Sequence, residues 1–127
     1  MFVLDTDVVI WILRRHVKIM RTIEKITAHS APAVSAMTVA EVYKHIYPAE
    51  LPMIEEYFDY HAVIPVSTTI AKQAGLYWND FNKKFKTLSI ADCIVAATAQ
   101  SMNATLVTLN SRHFPMTDIK VVNPLKM

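Results

Sequence analysis

Short apolar runs alternate along this chain with longer stretches in which apolar residues recur every three or four positions. The run Phe2–Leu4 reads as a strand and hands over at Asp5 to a segment that sets Val8, Val9, Ile12 and Leu13 on one helical face. A second helical stretch covers Val17–Ala28, with apolar positions at Ile19, Ile23 and Ile26. Ala33–Ser35 predicts another strand, followed by a helix through Val39, Val42 and Ile46. Pro48 and Pro52 bracket a break, and Met53–Tyr60 predicts the next helix. The β-branched segment HAVIPV predicts a third strand, with Pro65 marking an edge or the strand's end. Thr68–Phe81 and Ile90–Met102 predict two further helices. ATLVT then predicts a strand, NSRHF a turn and IKVVN a last strand.

This alternation argues for a parallel or mostly parallel sheet with helices on both faces. Right-handed crossovers bring the C-terminal ends of the first, second and fourth strands to one edge. Ligands of open parallel sheets bind at such an edge. The 127 residues leave room for one domain, taken as 1–127. A hydrophobic fraction of 53% supplies a core without disulfide staples, and it leaves enough apolar surface to predict a partner chain.

No apolar run approaches the ~18 residues needed to cross a bilayer, so no membrane role is expected. No basic leader precedes FVLD, and a lone Cys93 fits a reducing compartment; together these predict a cytoplasmic protein. The formal net charge of +2 excludes a protein held on nucleic acid by charge alone. One glycine, Gly75, leaves the turns to Pro, Asn, Ser and Asp.

Three acids fall at the predicted handover points: Asp5 after FVL, Glu41 one helical turn beyond AVS, and Asp92 at the opening of DCIVAATAQSM. Each has a plain structural reading. Asp5 suits a helix N-cap, as do Thr6 and Asp7. Thr38-x-x-Glu41 and Ser89-x-x-Asp92 both fit the capping box. Their convergence on one edge favours a joint role, since a carboxylate in a first helical turn still points toward the sheet edge. Carboxylates without His or Cys select hard cations such as Mg²⁺, with Mn²⁺ as a substitute. Such an ion activates water and stabilises charge on an attacked phosphate, so the pattern reads as a metal-dependent phosphodiesterase acting on RNA.

His16, His29, His45, His61 and His113 show no pair at ligand spacing, which argues against zinc, and Cys93 is taken as helix packing. The basic stretches at Arg14, Arg15, Lys18 and Arg21, and at Lys83, Lys84 and Lys86, are solvated faces or contacts to RNA phosphates.

The segments VLDTDVVIWIL, VSAMTVAEVY, LSIADCIVAATA and ATLVTLNSRHFP, in that order, resemble the PIN domain, and within it the VapC-like ribonuclease toxins of toxin–antitoxin systems. The resemblance extends over essentially the whole chain. It implies a three-layer α/β/α sandwich around a mostly parallel sheet, metal-dependent endoribonuclease activity, a cognate antitoxin and a homodimer. It assigns Asp5 and Asp92 as direct Mg²⁺ ligands and Glu41 as a ligand, direct or through water. Thr6 matches a small polar position beside the first acid, and Thr108 the hydroxyl of the last motif. The fourth acidic position of many PIN domains falls on Asn110, which offers an oxygen without charge and leaves the number of metals open. Asp7 supplies the missing charge or only caps the first helix.

Three other readings compete. LDTDVV also fits the opening of haloacid-dehalogenase-like phosphatases, yet ATLVT leads to Asn110 and Ser111 without the acidic pair they require. The other competitors are an inert PIN-like module that binds RNA or protein, and a PIN nuclease serving RNA processing. An antitoxin is expected to lay a peptide into an apolar groove near Val9, Ile12 and Leu13 or along Val39–Ile46, with an Arg or Lys reaching the carboxylates.

Overall fold

The computed structural model describes residues 1–127. Five strands, β1 (Phe2–Leu4), β2 (Ala33–Ser35), β3 (Ala62–Ile64), β4 (Thr105–Val107) and β5 (Val121–Val122), form one sheet in the order β3-β2-β1-β4-β5. Every pairing is parallel. Six helices connect them: α1 (Thr6–Leu13), α2 (Val17–Ile26), α3 (Ala36–Tyr43), α4 (Leu51–Asp59), α5 (Thr68–Phe81) and α6 (Ile90–Ser101).

The two-residue period of the strands divides the core. Val3, Ala33 and Leu106 pack with α5 and α6, through Ile70, Ala74, Tyr77 and the alanines of α6. Leu4, Val34 and Val107 point the other way, onto Val8, Val9, Ile19, Ile23, Val42, Ile54 and Phe58. Helices therefore cover both faces of a parallel sheet, the expected α/β/α sandwich. β3 lies at an edge, as Pro65 implied.

The differences from expectation lie at element ends. α3 stops at Tyr43 rather than running through Ile46. Pro48 holds the preceding Tyr47 in an extended conformation (φ −91°, ψ 147°), so the helix cannot continue into it. Pro52 does not break a helix but lies in the first turn of α4, where no partner for its missing N–H is needed. α2 ends two residues early, with the Thr27 N–H bonded to Ile23 O. With one glycine available, the left-handed turn positions go to Arg15 (φ 64°) and Asn103 (φ 50°). No helix is long and apolar enough to cross a membrane.

Candidate active site

β1, β2 and β4 end side by side, and α6 runs back against the strands, so its N-terminus returns to the same edge. Asp5 leaves β1 in extended conformation and caps α1, its Oδ1 accepting the Thr6 N–H at 2.8 Å. The capping reading of Asp5 is thus correct, and it uses only one oxygen. Oδ2 accepts the Thr108 hydroxyl of the β4 exit at 2.8 Å.

Asp7 is not the cap. From the first turn of α1 its Oδ2 accepts the Leu109 N–H and Asn110 Nδ2, both at 3.2 Å, which ties α1 to the loop after β4. Its Oδ1 is buried with no hydrogen-bond partner.

Glu41 reaches the cluster from α3, its Oε1 accepting the Thr6 hydroxyl at 2.7 Å. Thr6 Oγ1 also lies 3.0 Å from Thr38 Oγ1. With one proton on Thr6, the second bond of this trio is donated by Thr38. Thr38 and Glu41 do not form a capping box, because Ser35 caps α3 by accepting the Met37 N–H. Ser89 and Asp92 do form one: Ser89 Oγ accepts the Asp92 N–H and Asp92 Oδ2 accepts the Ser89 N–H, each at 3.1 Å. Asp92 Oδ2 also lies 3.0 Å from His113 Nε2. Thr87 Oγ1 is 3.3 Å from His113 Nδ1. A Thr87 hydroxyl donating to Nδ1 leaves Nε2–H as the donor to Asp92. Both partners of Asp92 thus fall on Oδ2, and no protein donor bonds to Oδ1.

Electrostatics couple the members of the group. Burial, the Asp7 charge and the Asp92 charge push the Asp5 carboxyl from 3.8 up to about 7, against the opposing hydrogen bonds from Thr108 and Thr6. Burial likewise raises Asp7. Cys93 is fully buried, and burial with the neighbouring Asp92 charge pushes its thiol to about 11, consistent with packing rather than chemistry.

All six residues singled out from the sequence, Asp5, Thr6, Glu41, Asp92, Thr108 and Asn110, stand at this edge. Sequence reasoning undervalued Asp7 and missed His113. The signal for His113 lies in the last turn motif, where the histidine follows Asn110 by less than one helical turn.

No three His, Cys, Asp or Glu side chains stand close enough together to form a metal-holding group. A Mg²⁺ ion does not require one, since it keeps several waters and takes one or two carboxylates. The donor set is oxygen only, the carboxylates repel one another, and the orphaned Asp7 Oδ1 is a buried oxygen that a cation or its water would satisfy. The residues fit a hard divalent ion.

Two clefts flank the edge. One, of about 310 Å³, is mainly apolar and lies between α1, α3 and α4, where Ile10, Leu13, Val42, Ile46, Tyr47 and Ile54 are joined by Arg14, Glu41, His45 and Glu50. Ile12 and Leu13 continue it into a second hollow with Met20, Met53 and Tyr57. Val9, expected in such a groove, is instead buried in the core. The other cleft is polar and opens beside Asn110 and His113.

Known proteins resemble this chain in sequence and in fold. The chain is 28% identical over 116 residues to Ribonuclease VapC10 of Mycobacterium tuberculosis, covering 91% of this chain and 87% of that protein. It is 30% identical over 84 residues to Ribonuclease VapC19 of the same organism, covering 66% and 67%. DNA-bound VapBC from Salmonella typhimurium superimposes with a TM-score of 0.82 at 22% identity, covering 97% of both chains. VapBC-1 from nontypeable Haemophilus influenzae gives 0.82 at 22% identity over 98% of both. These structures share the fold. The PIN domain matches residues 2–120, and the chain belongs to the PIN domain family.

Proposed function

We propose that this protein is a Mg²⁺-dependent endoribonuclease and the toxin of a toxin–antitoxin pair. The observation that carries the reading is the convergence of Asp5, Asp7, Glu41 and Asp92 at one sheet edge, with Asp5 and Glu41 oriented by threonine hydroxyls, Asp92 by His113, and Asp7 by the Leu109 N–H and the Asn110 amide. The names of the VapC relatives and the VapBC complexes support the ribonuclease and partner parts.

Asp5 and Asp92 hold the ion, Glu41 binds it directly or through water, and Asn110 adds no charge of its own. A bound Mg²⁺ supplies charge stabilisation at the phosphate and acidifies a water. Thr108 and Thr6 orient Asp5 and Glu41 and so fix where that charge sits. Asp7 holds the loop carrying Thr108 and Asn110 against α1.

The antitoxin occupies the apolar cleft beside Glu41, and an Arg or Lys from it reaches the carboxylates. A homodimer accounts for the exposed Leu76 and Trp78 of α5. The absence of charge at Asn110 favours the inert binding module as second reading.

Induced expression in a bacterial host tests the proposal. Growth arrest with new RNA 5′ ends is expected for the natural sequence and not for Asp92→Asn. Equal behaviour of the two sequences would refute it.

A further inference from the structure

The sheet order sets the two clefts on opposite sides of the carboxylates. The apolar cleft lies toward β2, whose helix carries Glu41. The polar cleft lies toward β4 and β5, has a volume of about 530 Å³, and is lined by eight residues of which only Leu109 is apolar. No carboxylate lines it, while Arg112, Lys126 and His113 do. The one close contact between a basic and an acidic side chain is His113–Asp92, so Arg112 and Lys126 have no acidic partner.

The cleft is tied together rather than a chance gap between side chains. Asn123 Nδ2 donates to Leu109 O at 3.0 Å, and Asn123 Oδ1 accepts the Leu125 N–H at 2.9 Å. The Lys126 N–H then bonds to Asn123 O at 3.0 Å, which turns the C-terminal segment over the cleft. Thr87, on the α5–α6 connection, bonds to His113 from the far wall. The floor begins at the site itself, since Asn110 donates to Asp7.

We propose that this cleft holds a backbone phosphate of single-stranded RNA adjacent to the one being cut, with Arg112 and Lys126 as its ligands. The inference rests on the ribonuclease reading. A cluster of carboxylates repels RNA, so affinity must come from cationic groups beside the cluster. Arg112 offers a planar fork suited to a phosphate, and Lys126 a point charge. Lys83, Lys84 and Lys86 lie on the connection that carries Thr87 and extend the positive path outward. Such contacts position the strand without reading its bases. Substrate and protein partner then approach from opposite flanks and compete only at the carboxylates.

The test is steady-state cleavage of a labelled single-stranded RNA oligonucleotide across a salt series. Arg112→Ala and Lys126→Ala are each expected to raise KM about tenfold with kcat within about twofold, and each to flatten the salt slope by part of the ~0.7 that one neutralised phosphate contributes. Arg112→Lys recovers most of the loss, and Lys25→Ala, on the exposed face of α2, leaves KM unchanged. Thermal melts of all four variants should coincide with the parent, since these side chains lie at the surface. Unchanged KM and salt slope in both cleft variants would overturn the proposal, as would an equal KM rise in Lys25→Ala. If the parent cleaves RNA and the cleft variants match it, this inference alone falls; if the parent cleaves none, the ribonuclease reading falls with it.

Discussion

Replacing Asp5 by Asn should make the protein more stable at neutral and alkaline pH while removing the metal-dependent cleavage proposed for it. Asp5 is 8% exposed, and its carboxyl is raised from 3.8 to about 7, first by burial and then by Asp7. Above neutrality the unfolded chain ionises this group freely, whereas the folded chain must hold the charge in a dry, like-charged setting. That displacement is worth roughly 4 kcal/mol. The sign follows from the raised folded value. The stability contribution is fully present below about pH 4 and is lost as pH rises through about 7.

Asparagine is isosteric, keeps an oxygen for the Thr6 N–H, and turns its amide toward Thr108 Oγ1, so it gives up the charge-assisted part of two hydrogen bonds. A net gain of about 1–3 kcal/mol at about pH 8 follows, or a Tm increase of about 3–12 °C. Calorimetry of both proteins with chelator present, from about pH 4 to about pH 8, provides the assay. The gap between them should open through this range and level off above about pH 7. Mg²⁺ at a hundredfold over its Kd should then restore about 2.7 kcal/mol to the parent and nothing comparable to the variant. A variant less stable at about pH 8, or a gap independent of pH, would refute the reasoning.

Three further outcomes follow from particular contacts. His113→Ala removes one of the two donors on Asp92 Oδ2 and should lower kcat about tenfold or more with Tm nearly unchanged; Tm loss without a kcat change would contradict it. Tyr57→Phe deletes a buried hydroxyl that has no partner, so Tm should hold or rise by a degree or two, whereas a clear fall would show that the hydroxyl is bonded. Gly75→Ala adds a methyl group at an exposed position of α5 with nothing within 4 Å, and should stabilise the chain by about 0.5–1 kcal/mol. Melting and sedimentation together check this; a loss of dimer would place the partner copy on that face.

The sequence was most informative where local and tertiary demands coincide. Thr68–Phe81 is a clean amphipathic helix with Ser67 as its cap, and its bounds are those observed. Asp5, Glu41 and Asp92 were legible because strand-to-helix handovers in a parallel sheet share one edge. What escaped depends on distance along the chain. Thr38-x-x-Glu41 imitates a capping box, and only the tertiary contact between Glu41 and Thr6 shows where that carboxylate goes. Asp7 looks like one more capping candidate because its partners, Leu109 and Asn110, lie about a hundred residues away. His113 meets Asp92 from a loop with no periodicity to reveal it. The end of α3 was missed because Pro48 acts through the conformation of Tyr47 rather than within the helix.

The most direct test is cleavage of total cellular RNA by the purified protein, mapped by end sequencing, with Mg²⁺, Mn²⁺ or chelator. Asp5→Asn and Asp92→Asn, prepared identically, run beside it. Discrete cuts that require the metal and vanish in both variants are the predicted result. Cuts that persist in both variants, or no metal-dependent cuts from the parent, would contradict the claim that these carboxylates form a ribonuclease centre.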